Sequence, residues 1–246
     1  MDTLLFATSF VRDEKSWNER YETWIKYYRK SPLGHHQCVL IDDGSLFLPN
    51  KIEVVTDLAK LNTKNREVKL FHFPNNLGRQ SLVSYPGWWR SFLFSLVIAK
   101  KINAKKIIHI ESDAFILSDR MFKLIDEIKS GWHSAWLTTY QFPETGIQII
   151  CEDQFDAMEK FNNHPQKNII MAENLLPFTT VHKDLIGDRY NEFKRNRSIF
   201  RSQKFDSIPI FNNAFFWTQI PKNADFATQV VQRQFKEINK NDRNKS

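Results

Sequence analysis

The chain has 246 residues, 41% hydrophobic and 14% aromatic, which excludes general disorder and lets it bury a sizeable core without covalent staples. Its formal net charge of +7 suits anionic partners of three kinds: nucleic acid, an anionic membrane face or phosphorylated substrates. No run approaches the roughly 20 apolar residues needed to span a bilayer, and the opening TLLFATSF is short and has no basic leader.

Cys38 and Cys151 lie beside apolar residues in strand-like runs and read as buried thiols, so a reducing, cytoplasmic setting is expected. No repeat or low-complexity block appears. LLFATSFV is a first strand. SWNERYETWIKYYRK repeats Trp17, Tyr21, Trp24, Ile25 and Tyr28 at helical spacing. HQCVLIDDG reads as a buried strand ending in two acids and a glycine. IEVVTDLAKL reads as a short strand and helix. VKLFHF is a strand closed by the turn signal PNNLG. PGWWRSFLFSLVIAKKINA is the clearest helix. KKIIHIESDAFIL is a strand, two acids and a second apolar run. DRMFKLIDEIKS is an amphipathic helix with Asp119 as N-cap. This alternation is the signature of an α/β sheet with mostly parallel strands.

The second half is less regular. WHSAWLTTY and TGIQIICED read as strands and QFDAMEKF as a short helix; TTVHK and SIPIFNNAFFWTQI read as extended. No linker separates two units. The expectation is one domain: residues 1–125 a regular α/β half, 126–225 a smaller mixed half, and 226–246 a polar C-terminal tail.

In an open α/β sheet, ligands bind outside the carboxyl ends of the strands. Three such ends are chemically marked: Asp42 and Asp43; Asn75, Asn76 and Gly78; Glu111 and Asp113. If these strands are neighbours, their acids and amides meet in one crevice. Gathered carboxylates need a compensating cation or donors. A hard divalent ion such as Mn²⁺ or Mg²⁺ suits oxygen ligands and bridges to phosphate.

The run from LLFATSFV to AFILSDRMF resembles the nucleotide-binding half of a GT-A glycosyltransferase. The resemblance implies a Rossmann-like central sheet flanked by helices, a nucleotide-diphosphate sugar as donor, and a glycan or lipid-linked glycan as acceptor. Thr8 and Ser9 correspond to the first-strand residues that contact the nucleotide, and Asp42 and Asp43 to the acids near base or ribose. Asn76-Leu77-Gly78 followed by a helix bearing Arg90 matches the family's N-x-G pattern. Arg79 and Arg90 are the guanidinium candidates for the diphosphate. Glu111-Ser112-Asp113 stands where the family has D-x-D, with Glu at the first position. Asp113 is the expected metal ligand; Glu111 binds the metal directly or acts through water or ribose. A further metal ligand, often His in this family, is expected from the C-terminal half: His182, with His133 as competitor.

An inverting transfer also needs a carboxylate base near the acceptor hydroxyl. Glu173, an isolated acid in the apolar stretch MAENLLPFTTVH, is the first candidate, because burial would raise its pKa toward a useful range. Asp153 is the second, and it could equally be the N-cap of QFDAMEKF. Lys183, Arg195, Arg197, Arg201 and Lys204 form either a basic lid or a solvated face. The expected role is sugar transfer in bacterial surface polysaccharide synthesis, by a cytoplasmic enzyme held peripherally at an anionic membrane face if at all. A sugar-nucleotide nucleotidyltransferase is the alternative, weakened because the first strand lacks a Gly-rich loop with Lys. A nucleic-acid-binding protein is suggested by charge alone, and no motif supports nucleic acid as a partner.

Overall fold

The computed structural model describes residues 2–34, 37–61, 67–81, 83–190 and 220–230. The architecture is α/β, built on an eight-stranded sheet. β1 (Thr3–Ser9), β2 (Gln37–Asp42), β3 (Glu53–Val55), β4 (Lys69–His72) and β5 (Lys106–Ile110) run parallel in the spatial order β3-β4-β2-β1-β5. A sheet covered on both faces requires unbroken apolar strands. The central strands meet that demand: β2 and β5 are buried at every position.

The sheet continues through β8 (Phe142–Cys151), β7 (Trp132–Leu137) and β9 (Thr180–His182). β8 is antiparallel to both β5 and β7, while β7 and β9 are parallel. One strand of the eight therefore runs against the others, which decides where its terminal acids lie.

Helices cover both faces. On one side α1 (Glu14–Ser16), a π-helical turn (Trp17–Tyr21) and α2 (Glu22–Lys30) succeed one another. The expected single helix over this stretch is thus interrupted by a wide turn. Its aromatics, Trp17, Tyr21, Trp24 and Tyr28, join α4 (Asp119–Glu127) in packing on that face. On the other side α3 (Pro86–Lys101) lays Trp89, Phe92 and Leu96 against Leu4, Phe6 and Ile107, with α5 (Phe155–Lys160) and α6 (Ala172–Leu175) beside it. The N-cap of α4 is Ser118, whose side chain accepts from Met121 N. Asp119 was expected there; it is instead the first helical residue, where an acid still favours the helix dipole.

A second sheet of three short strands, β10 (Gly187–Arg189), β11 (Phe226–Thr228) and β6 (Phe115–Ile116), adjoins the first. β11 is fully buried, so the residues from Phe226 to Thr228 belong to the core and not to the polar tail in which they were placed. The extended segment expected over 207–220 lies, except for Ile220, outside the described residues. Both cysteines are free and buried. No described helix is long and apolar enough to cross a membrane.

Two glycines permit the close approach of the loops above the sheet. Gly44 adopts φ +72°, and a Cβ there would lie 2.4 Å from the Asn75 carbonyl carbon. At Gly87, in the first turn of α3, a Cβ would lie 2.0 Å from Asp43 Oδ2. We expect Gly87→Ala to destabilise the fold by about 1–3 kcal/mol through forced displacement of that carboxylate, measurable as a lowered urea midpoint at unchanged slope.

Candidate functional site

Consecutive crossovers place β2 on one side of β1 and β5 on the other. Such a reversal opens a crevice at the carboxyl ends of the strands. The ends of β1, β2, β4 and β5 do converge there, as the positions of their acids and amides led us to expect.

On the β2 side the acids hold protein, not ligand. Asp42 is buried and accepts from Ser45 N at 2.9 Å, from the Ser45 hydroxyl, and from Ser9 Oγ at 3.4 Å; His72 Nδ1 lies 2.8 Å from it. Asp43 accepts from Gly78 N at 2.8 Å and Asn76 Nδ2 at 3.0 Å, and pairs with Arg90. Arg90 also donates to Asn75 O at 2.5 Å and lies 4.2 Å from the Phe73 ring centre. Thus Ser9 and Asp42 fix the loop after β2 through Ser45, while Asp43, Asn76, Gly78 and Arg90 fix the loop after β4. Arg90 Nη2 and Asn76 Nδ2, expected at the donor, are engaged with Asp43, while Arg90 Nε is buried with no hydrogen-bond partner. Arg79 Nε donates to Ser81 O at 2.9 Å, with the guanidinium 5.9 Å from the Tyr85 ring. A separate cavity of about 350 Å³ lies on the outer side of α3, lined by Leu77, Trp89, Leu93 and Phe94 among others; it is not the crevice.

At the end of β5, Glu111 turns toward α3 and is bound by three protein side chains. Thr8 Oγ1 lies 2.9 Å from both its oxygens, Trp88 Nε1 donates at 2.6 Å, and His109 Nε2 lies 3.1 Å away. Burial alone would raise the Glu111 pKa, but the His109 and Trp88 hydrogen bonds and the charges of His109 and Arg20 outweigh it and hold the carboxyl below its ordinary value. The turn itself is closed by Ala114 N donating to Glu111 O at 2.9 Å, and Val230 N donates to Asp113 O at 2.9 Å.

Asp113 faces the other way, toward the π-helical turn. Arg20 Nη2 pairs with Asp113 Oδ2 at 3.0 Å, and Arg20 Nε donates to Ser112 Oγ at 2.5 Å. Burial raises the Asp113 pKa, and the nearby Glu111 and Glu144 charges add to that against the opposing Arg20. Two acids two residues apart therefore have opposite electrostatic settings.

Beside this turn, a buried ion cluster surrounds Arg189. Its guanidinium binds Glu144 at 2.9 Å and Glu173 at 2.8 Å. Glu144 also accepts from Gly146 N at 2.7 Å and Thr228 Oγ1 at 2.8 Å; burial would raise its carboxyl pKa, but the charge and hydrogen bonds of Arg189, with these two donors, hold it below its ordinary value. Glu173 is thus not isolated among apolar groups as expected; a guanidinium accompanies it. Tyr85 Oη accepts from Ala172 N at 2.6 Å; burial and the Glu173 charge push its pKa up to about 12 against the opposing Ala172 hydrogen bond and the Arg79 and Arg189 charges.

Asp153 does not share this site. β8 is antiparallel to β5, with Cys151 opposite Lys106. Its final acids therefore lie at the amino edge of the parallel strands, about 17 Å along β5 from Glu111 at roughly 3.3 Å per residue. There Asp153 accepts from Gly131 N at 2.9 Å. His182 is also remote. It sits on β9, three strands from β5, or about 14 Å at the usual strand spacing. Its Nε2 lies 3.0 Å from His133 Nδ1, and burial and His133 lower its pKa. Lys183 Nζ stands 4.6 Å from the Trp136 ring centre; Arg195, Arg197, Arg201 and Lys204 lie outside the described residues.

The donor set does not fit a resident divalent ion. A Mg²⁺-type ion at a phosphate site takes octahedral oxygen ligands and needs at least one or two free protein carboxylates beside substrate phosphate and water. Glu111 is spent on three protein donors, Asp113 is ion-paired, and His182 belongs elsewhere. Among the described residues no group of three or more His, Cys, Asp or Glu side chains could hold a metal. Arg20, Glu144 and Arg189 were not singled out from sequence. Arg20 sits in an aromatic helix that reads as core, and nothing local marks its contact with residues 92 and 93 positions away.

No family model matches the chain, and no curated protein sequence matches it. Among solved structures it is similar to a glycosyltransferase involved in glycosylation of the major capsid of PBCV-1, with 9% identity, a TM-score of 0.47, and 98% of this chain and 100% of that one covered. It is also similar to the glycosyltransferase GlyE of Streptococcus pneumoniae, with 9% identity and a TM-score of 0.47 over 96% of this chain and 60% of that one. A third is S. aureus TarS in complex with UDP, with 13% identity, a TM-score of 0.41, and 97% and 63% covered. At such identities no residue role is carried over.

Glu111 and Glu144 both titrate below the ordinary glutamate value of 4.5. Their stabilisation is present in full above the unfolded-state value and is lost as pH falls through the lower folded-state value. Glu111→Gln should destabilise at neutral pH by about 1–3 kcal/mol and flatten the loss of stability below pH 4.5. Denaturant titrations at pH 7 and pH 3 would read both effects; equal acid sensitivity in variant and wild type would contradict this account.

Proposed function

We propose that the crevice between β1 and β5 binds the diphosphate of a nucleotide-diphosphate sugar, and that the chain is a GT-A-type glycosyltransferase passing the sugar to a hydroxyl of a glycan or lipid-linked glycan. The observation that carries this reading is the convergence of four parallel strand ends on the turn 111–113, with a guanidinium on one flank and a carboxylate–guanidinium cluster on the other. A nucleotide fits the polar strand ends, a diphosphate fits the directional N–H donors of Arg20, and a hydroxyl acceptor fits an acid on the far side.

In the reaction, the bond between the anomeric carbon and the β-phosphate oxygen breaks and its electron pair leaves with the diphosphate. The acceptor oxygen forms the new bond to the anomeric carbon, and its proton passes to a carboxylate. Glu173 is that carboxylate in this reading, which makes the transfer inverting. Arg189 orients it, and Glu144 holds Arg189 in turn. Trp88, bound through Nε1 to Glu111, forms the wall on the α3 side. A lipid-linked acceptor would be met at a membrane face, where the net positive charge favours anionic headgroups, as surface polysaccharide synthesis requires.

A thermal-shift panel of uridine, guanosine, cytidine and thymidine diphosphates should yield at least one that raises the melting temperature; a panel without any shift would sink the proposal. With the sugar donor so found, Glu173→Gln should lower release of nucleoside diphosphate in the presence of acceptor by about 10²-fold or more while donor binding persists. Asp153→Asn, at the opposite edge of the sheet, should leave both unchanged.

A further inference from the structure

We propose that Arg20 is the resident cation of this site, so that a guanidinium and not a divalent ion neutralises the departing diphosphate, with Asp113 and Ser112 aiming it. The assignment rests on the donor reading above and deepens it.

Four observations support it. Of the two carboxylates of the 111–113 turn, Glu111 is bound by Thr8, Trp88 and His109, whereas Asp113 is met by Arg20 at 3.0 Å. The second contact, Nε to Ser112 Oγ at 2.5 Å, fixes the guanidinium plane at two points. These contacts use Nε and Nη2; among the described residues Nη1 has no hydrogen-bond partner, and the side chain remains 45% exposed. A guanidinium carries five N–H donors in a rigid fork suited to phosphate oxygens, so donors remain for a ligand. Finally, Arg20 lies within the π-helical turn Trp17–Tyr21. Such turns are rare and occur frequently at functional sites. Here the turn is anchored by Tyr21, whose hydroxyl donates to Phe10 O and accepts from Phe10 N, both at 3.0 Å.

The same geometry works against a metal. An ion approaching Asp113 would meet the fixed positive charge of Arg20 and find no second open carboxylate on the turn. Through the transfer, the electron pair of the breaking bond moves onto the β-phosphate oxygen, and the added negative charge is met by N–H donors already in position, which needs no reorganisation.

The test is calorimetric binding of nucleoside diphosphates and the matching nucleosides to the full chain, in excess EDTA and in Mn²⁺, for wild type, Arg20→Gln and Arg20→Lys. We expect the diphosphate Kd to agree within about twofold between EDTA and Mn²⁺, and Arg20→Gln to weaken it about tenfold, the loss of one charge-assisted hydrogen bond. Nucleoside binding should not change, and Arg20→Lys should recover part of the loss. Unchanged nucleoside affinity also certifies that the variant is folded. Diphosphate binding that requires Mn²⁺ and is equal or tighter in Arg20→Gln overturns the assignment while leaving the donor crevice standing. Absence of binding by every diphosphate in both conditions overturns the crevice reading, and the role of Arg20 with it.

Discussion

The carboxylate of Glu111 is the point on which the crevice depends. Thr8 comes from β1, His109 from β5 and Trp88 from α3, so one side chain ties two strands and a helix together at the reversal of the sheet. A buried carboxylate left short of donors would be costly, whereas one with three is held ionised and rigid. Because Glu111 points back into the protein, the turn that follows must present Asp113 outward. The division of labour within the triplet is thus a consequence of solvation.

The same economy recurs around the crevice. Asp43 gathers Asn76, Gly78 and Arg90, and Asp42 gathers Ser9, Ser45 and His72. Glu144 gathers Arg189, Gly146 and Thr228. Asp42, Asp43 and Glu144 each accept from a backbone N–H, in a region of loops that would otherwise lack regular hydrogen bonding. What is left for a ligand is a short set: the outward side of Arg20, the environment of Asp113, and the Glu173 edge of the Arg189 cluster.

Much of the fold was legible in the sequence because it rests on local periodicity. The buried apolar runs of β1, β2 and β5 and the long α3 follow directly from residue type. The gathering of Asp42, Asn76 and Glu111 at one edge also followed, since parallel strands put their ends together. What failed to show was direction and long-range pairing. ICED at the end of β8 looks like any acidic strand end, and only the antiparallel pairing of Cys151 with Lys106 sends Asp153 to the wrong edge. His182 has the right residue type and the wrong strand. Arg20 was hidden because its partners lie far along the chain, and the π-helical turn that aims it leaves no compositional trace. Likewise Phe226–Thr228 is too short a run, before a polar segment, to announce a buried strand.

The hydrogen bond from Val230 N to Asp113 O gives the site a place in time. The strands that shape the crevice are all made in the first half of the chain, but the backbone of its central turn is completed from near residue 230, through β11 against β6. Contacts of such sequence separation form late, since chain closure must precede them. A nascent chain emerging from the ribosome therefore carries an assembled sheet well before it carries a finished turn. A chain cut short before β11 would lack Phe226 from the core and leave the Asp113 carbonyl without the Val230 N–H.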